Sequence, residues 1–232
     1  MLLALFRNGF EDFDAGSLLT FLAGAAVVFF LCMPVHECAH AWAAKKMGDH
    51  TARLAGRLTL NPMAHLDPFG CLLILLVGFG YAKPVPVNIR NFKKRKLGMA
   101  LTALAGPLSN LLMALLFLSI YMPIAFFHET ADPDLLTLTR DACGVVASIN
   151  ISMAVFNLLP IPPLDGSRVV GLLIPDRLYY QIMNYERYIR YGLFALLAVG
   201  ILDWPVSFLS AGVSRGLWWL AALPYVLLSK IF

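Results

Sequence analysis

Two histidines and a glutamate stand at a spacing that suits metal-assisted hydrolysis. They form the run His36-Glu37-Cys38-Ala39-His40, an H-E-x-x-H pattern. In a helix, positions i and i+4 lie on one face, so the imidazoles of His36 and His40 can bind one zinc ion. Glu37 projects nearby and can accept a proton from a water molecule that the ion activates. The pattern therefore predicts a zinc site with Glu37 as its general base.

The chain that must position these residues is strongly apolar. Of its 232 residues, 59% are hydrophobic and 14% are charged, and the mean hydropathy is +0.74. A soluble domain usually carries about 25% charged residues. The composition predicts an all-α multi-pass membrane protein with a single membrane-embedded domain over residues 1–232. Its core is expected over about residues 17–170 and its C-terminal helices over about residues 188–232.

Long apolar stretches predict about five membrane-spanning helices. They are Ser17–Trp42, Leu97–Phe127, Cys143–Leu159, Tyr188–Leu202 and Leu217–Phe232. The H-E-x-x-H pattern lies at the end of the first, and ionisable residues at such a position are expected to be functional. Pro34 removes a backbone hydrogen bond two residues before His36, so a kink is predicted at the metal site.

Shorter segments between the first two spans predict other structures. The apolar run Phe69–Tyr81 is too short to span comfortably and is predicted to be a re-entrant segment or a packed hairpin. Thr51–Leu60 and Lys83–Asn88 have strand character, which predicts a small cytoplasmic β element. An exposed edge there could receive an unwound substrate by strand addition. A purely structural sheet is the alternative, and the sequence leaves both open.

Charge placement predicts the orientation. Basic residues cluster on both sides of Phe69–Tyr81, and most of the acidic residues fall in the opposite loops and at the N-terminus. By the positive-inside rule, the N-terminus lies outside and the C-terminus in the cytoplasm. The run Lys93-Lys94-Arg95-Lys96 is predicted to anchor this topology and to touch anionic membrane lipid. So short a patch does not indicate a nucleic-acid partner.

A catalytic zinc ion usually has three protein ligands and one open position, so a third ligand is needed. The best-placed acid is Asp165, in the run Asn157-Leu158-Leu159-Pro160-Ile161-Pro162-Pro163-Leu164-Asp165-Gly166. Its prolines break the helix, and Gly166 is expected to permit an unusual backbone angle. The remaining histidines are predicted to lie in loops or on the far side: His50, His65 and His128.

The two separated motifs, in this order, resemble those of the site-2 protease family of intramembrane zinc metalloproteases (peptidase family M50). Further stretches resemble its compact prokaryotic branch: Gly56–Pro62, Ala82–Asn88 and Ala105–Asn110. The resemblance implies one zinc ion held by His36, His40 and Asp165, with Glu37 as catalytic base. It also implies cleavage of a transmembrane protein substrate within a prokaryotic cell membrane. PDZ and CBS modules, present in larger members, are not recognisable here.

The sequence leaves alternative interpretations open for three asparagines and for the function. Asn157 could bind the substrate backbone or stabilise an oxyanion near the zinc ion, or it could make a hydrogen bond between helices. For Asn150 and Asn110, the favoured interpretation is a hydrogen bond between helices. A catalytically idle metal-binding protein and a zinc transporter are the alternatives to an enzyme. The presence of Glu37 argues against an idle copy, and a single site argues against a transport path.

Overall fold

The computed structural model describes residues 15–67, 83–128 and 135–228, and this part of the chain is helical with no β-strand. The predicted all-α class is therefore confirmed for the described residues. The predicted segment Phe69–Tyr81 lies outside them. The α-helices are α1 (Ala15–Val27), α2 (Met33–Met47), α3 (Thr51–Leu54), α4 (Arg95–Phe127), α5 (Leu135–Asn157), α6 (Asp165–Val170), α7 (Asp176–Asn184), α8 (Glu186–Val199) and α9 (Asp203–Leu228).

A π-helical turn, Val28–Cys32, joins α1 to α2 without a break in the helix. Pro34 has no N–H to donate to the carbonyl four residues earlier. The turn shifts the hydrogen-bond pattern by one residue, and the Met33 N–H bonds to the Val28 carbonyl. This widened turn ends shortly before the H-E-x-x-H run and accommodates the missing N–H of Pro34, whereas the kink predicted from Pro34 stays a prediction.

Helix α4 lies at the centre of the fold, in contact with α2, α5, α6 and α9. A core cluster around Ala114, Leu118, Ala147 and Ile151 fills the space between α4, α5 and α9. Many buried positions in these helices are alanines, which let helix backbones approach closely in a membrane. The close approach places α2 and α6 against the same central helix.

Three helical stretches of the described chain are long and apolar enough to cross a membrane: Gly16–Met47, Arg95–Phe127 and Asp203–Leu227. They match the first, second and last predicted spans, but the last begins at Asp203 and not at Leu217. The third predicted span corresponds to α5, which has 23 residues. The fourth corresponds to α8, which has only 14 residues and ends at Val199, where the next residue, Gly200, has a left-handed backbone conformation. Five spanning helices are thus not confirmed.

The predicted β element is not confirmed, since no β-strand is present among the described residues. Thr51–Leu54 forms the short helix α3, and residues 83–88 are extended without a strand partner. The prolines Pro84 and Pro86 lack the N–H groups that a ladder needs. Among the described residues, one hydrogen bond between backbone groups joins this extended segment to the preceding loop, from the Lys83 N–H to the His65 carbonyl at 2.7 Å.

Asp49 connects the end of α2 to the turn that follows the extended segment. Its carboxylate is fully buried and accepts hydrogen bonds from the Thr51 N–H and hydroxyl, the Asn88 N–H and the Asn91 amide at 2.5–3.0 Å. Burial alone would raise the pKa of Asp49, but these donors outweigh it and lower the pKa below its ordinary 3.8. These hydrogen bonds to the ionised carboxylate stabilise the folded state at pH values above 3.8. This stabilisation is lost as the pH falls through the lowered pKa of Asp49.

Candidate metal centre

Helices α2 and α6 bring His36, His40 and Asp165 together. The Nε2 atoms of the two histidines are 3.0 Å apart. The Asp165 Oδ2 atom lies 3.7 Å from His36 Nε2 and 3.4 Å from His40 Nε2. The histidine side chains are 7% and 11% exposed, and the Asp165 side chain is 21% exposed. Three potential ligand atoms therefore converge at a mostly buried point that solvent reaches from the Asp165 side.

Asp165 reaches the histidines because the chain turns sharply after α5. Residues 158–164 form a series of turns, and Asp165 begins α6, which packs on α4. A Cβ atom on Gly166 would lie 2.1 Å from the Leu158 carbonyl oxygen, so only glycine fits there. The backbone of Gly166 does not have a positive φ. The predicted unusual backbone angle at Gly166 is wrong, and close packing of the turn against α6 is the reason for the glycine.

The opposite wall of the centre is the backbone of α4 at Gly106. A Cβ atom there would lie 2.4 Å from His40 Nε2 and 2.6 Å from His36 Cε1. One turn earlier, the Thr102 carbonyl accepts a hydrogen bond from His40 Nδ1 at 2.8 Å. Because Nδ1 of His40 carries the proton, its Nε2 lone pair is free and points at the converging group.

The geometry fits a tetrahedral zinc ion. Ligands at about 2.0–2.2 Å from such an ion are separated from each other by roughly 3.3 Å. The three observed separations, 3.0, 3.4 and 3.7 Å, bracket that value. Among the described residues these three form the one group of His, Cys, Asp or Glu side chains close enough to share a metal ion, and Cys38 is not part of it.

The family model for peptidase family M50 matches residues 24–131 and 123–199. These ranges contain both motifs and every residue of the centre. The chain belongs to peptidase family M50.

Individual relatives agree with the family. The M50 chain is 40% identical over 203 residues to the Bacillus subtilis protein named "Putative zinc metalloprotease YwhC", covering 84% of this chain and 89% of that protein. It is 33% identical over 157 residues to the Mycobacterium tuberculosis (strain H37Rv) protein named "Putative zinc metalloprotease Rip2", covering 66% and 56% respectively. The Mycolicibacterium smegmatis protein of the same name is 31% identical over 141 residues, which cover 59% of this chain and 51% of that protein. The chain thus spans about half the length of these mycobacterial relatives. No solved structure matches it.

A cavity of about 700 Å³ opens beside the centre of the M50 peptidase. Glu37 lines it together with the two histidines and Asp165, and Asn157 lies on its wall at the end of α5. Glu37 is outside the group that could share the metal, so its carboxylate is available to water in the cavity. Pro84, Val85 and Val87 line the same cavity from the extended segment.

One wall of this cavity in the M50 peptidase is charged, which was not predicted from the sequence. The Arg168 guanidinium donates to Glu186 at 2.6 Å, and Arg190 lies 3.4 Å from the same carboxylate. These side chains and Phe194 line the cavity and join α6 to α8. Glu186 and Arg190 are spaced i, i+4 on one helix, which marks a polar helix face. The pairing of Glu186 with Arg168 on α6 could not be assigned without the tertiary structure.

Proposed function

We propose that this chain is an intramembrane zinc metalloendopeptidase that cleaves transmembrane proteins. Membership of family M50 makes it a peptidase, and the names of its relatives support zinc as its metal. The observation that carries the proposal is the placement of His36 and His40. Both lie on the apolar stretch Gly16–Met47, which could cross a membrane, and both face the cavity.

Each residue of the centre has a proposed role. His36, His40 and Asp165 hold one zinc ion, which when bound lowers the pKa of water and polarises a carbonyl. Glu37 accepts the proton of the attacking water and can pass it to the leaving amine. Asn157 is proposed to donate to the oxyanion or to the substrate backbone from the cavity wall.

The substrate is proposed to enter as an unwound segment. A helical peptide hides its carbonyls in hydrogen bonds, so the helix must open before cleavage. Residues with low helix propensity near the cleavage site should therefore help. The extended segment with Pro84, Val85 and Val87 lies beside the cavity and offers a surface along which such a segment could lie.

The test compares membrane-protein fragments from cells that carry native protein with fragments from cells that carry Glu37→Gln. We expect fragments with new termini inside transmembrane segments only with native protein. An exposed carboxylate outside the cavity, Asp176, provides the control, and Asp176→Asn should match native. Identical fragments with native and Glu37→Gln protein would contradict the proposal. Both alternatives, an idle metal-binding protein and a zinc transporter, predict that outcome.

The proposed location is a prokaryotic cell membrane, with the N-terminus outside and the C-terminus in the cytoplasm. On a background without native cysteines, a cysteine at Lys94 should label from the cytoplasmic side and one at Asp132 from outside. The physical reason is the split between basic and acidic flanks of α4. Lys94 is exposed just before α4, and Asp132 lies outside the described residues. Labelling of both from one side would show that α4 does not cross the membrane.

A further inference from the structure

Asn110 is a fully buried amide that the proposed mechanism does not use. It lies on α4 with an exposed fraction of 0%. Neither its Oδ1 nor its Nδ2 atom has a hydrogen-bond partner among the described residues. A buried polar group without a partner destabilises the fold, so such a residue needs an explanation.

Gly106 lies directly against the His36 ring, and Asn110 follows Gly106 by one helical turn on the same face of α4, so the Asn110 side chain is placed beside His36. His36 Nδ1 is also buried and has no hydrogen-bond partner in the described part of the chain. An imidazole nitrogen that carries a proton is a donor, and the Asn110 Oδ1 atom is an acceptor. The two unpaired groups are therefore chemically complementary and adjacent.

The register of α2 on α4 supports the pairing. Thr102, Gly106 and Asn110 are spaced by four residues and share one face of α4. The Thr102 carbonyl binds His40, and the backbone of Gly106 lies against both histidine rings. Asn110 lies one turn further along the same face of α4. This position places it beside His36, just as Thr102 lies beside His40.

A histidine that binds a metal almost always donates its other ring N–H to an acceptor, which fixes the tautomer and the ring orientation. His40 satisfies this through Thr102. For His36 there are two acceptors nearby, the Asn110 amide and the Gly106 carbonyl. The Gly106 carbonyl already accepts the Ser109 hydroxyl at 2.7 Å. Asn110 is the acceptor with no other partner among the described residues.

We propose that Asn110 is a positioning residue for the metal centre: its Oδ1 atom accepts a hydrogen bond from the His36 Nδ1–H group, which directs the His36 Nε2 atom to the ion. The inference rests on the proposed zinc ligation by His36. It assigns to Asn110 a role that the sequence alone had placed with helix–helix contacts.

The test measures zinc affinity of the purified full-length protein in detergent, by competition with a coloured chelator. Asn110→Leu should bind zinc roughly 10- to 100-fold more weakly than native, as for loss of other partners of metal-binding histidines. Asn110→Asp keeps an acceptor at the same position, and carboxylates are common partners of zinc-binding histidines, so its zinc affinity should stay close to native. The visible spectrum of bound Co²⁺ should change in Asn110→Leu and not in Asn110→Asp.

Asn150 provides the matched control. It is also fully buried, and its Oδ1 atom lacks a partner in the described residues, but it lies on α5 and its amide donates to the Val146 carbonyl. Asn150→Leu should keep native zinc affinity even where it lowers thermal stability. If Asn110→Leu does not fold, Asn110→Ala takes its place, with the same expectation.

The zinc affinities of the variants distinguish a failure of the role of Asn110 from a failure of the proposed zinc ligation by His36. Native affinity in Asn110→Leu would overturn the inference alone and would leave Gly106 as the acceptor. Equal losses in Asn110→Leu and Asn150→Leu would show a general packing effect and would also overturn it. Native zinc affinity in His36→Ala would overturn the ligand set, and the inference with it.

Discussion

Glu37→Gln is expected to abolish proteolysis while one zinc ion per chain remains bound. Glu37 lines the cavity beside the centre but is not among the side chains that could share the metal. The amide is nearly the same size as the carboxylate, so the fold and the three ligands should be retained. An amide cannot accept the proton of the attacking water, and loss of a general base typically lowers the rate by at least about 100-fold.

The measurement is the rate of cleavage of a transmembrane peptide by purified protein in detergent, together with zinc content per chain. Asp176→Asn makes the same chemical change at an exposed carboxylate that pairs with Lys96 outside the cavity, and it should retain native activity. A Glu37→Gln protein as active as native would end the assignment of Glu37 as the base. Loss of zinc together with activity would show instead that Glu37 is needed to form the metal site.

Asp165→Ala is expected to lose most of its zinc and nearly all of its activity, whereas Cys38→Ala should retain both. Asp165 Oδ2 lies within 3.7 Å of both histidine Nε2 atoms, so its removal leaves only two ligands. Cys38 is the chemically attractive alternative because thiolates bind zinc well. A residue at i+2 lies about 200° around the helix from His36, on the opposite face.

Zinc content per purified chain after dialysis, measured for both variants beside native protein, decides between the two ligands. Folding of each variant is followed by thermal unfolding, since the Asp165 side chain also stands at the start of α6. Cys38→Ala with low zinc and Asp165→Ala with full zinc would be the reverse pattern. It would replace the ligand set and remove the main geometric support for the site-2 type of enzyme.

The metal centre depends on close approaches of backbone segments in α4 and α6 to the groups that they pack against. Gly106 permits α4 to touch both histidine rings, and Gly166 permits α6 to lie against the Leu158 carbonyl. Any Cβ atom at either position would meet other atoms within 2.6 Å. Both glycines belong to motifs that carry the family resemblance, and the structure supplies the steric reason for their presence there.

The irregular regions show where local patterns misled. Thr51–Leu60 and Lys83–Asn88 read as strands because their residue types suit extended structure. The Asp49 carboxylate instead accepts the Thr51 N–H at the start of the helical turn α3, and Pro84 and Pro86 cannot donate to a ladder. The start of the last helix was also predicted too late in the chain. Asp203 and Trp204 look like the end of an apolar stretch, yet they begin α9.

The sequence by itself determined the helical class, the membrane-like composition and the chemistry of the H-E-x-x-H run, because these follow from local composition and from the helical period. Asp165 was selected by its residue type and by its family motif. Only the tertiary structure decided the rest. The distances among His36, His40 and Asp165, the Thr102 carbonyl behind His40 and the buried amide of Asn110 depend on how α2 and α6 pack on α4. Residue spacing shows which side chains share a helix face, but it does not show which distant segment, or which of its backbone atoms, that face will contact.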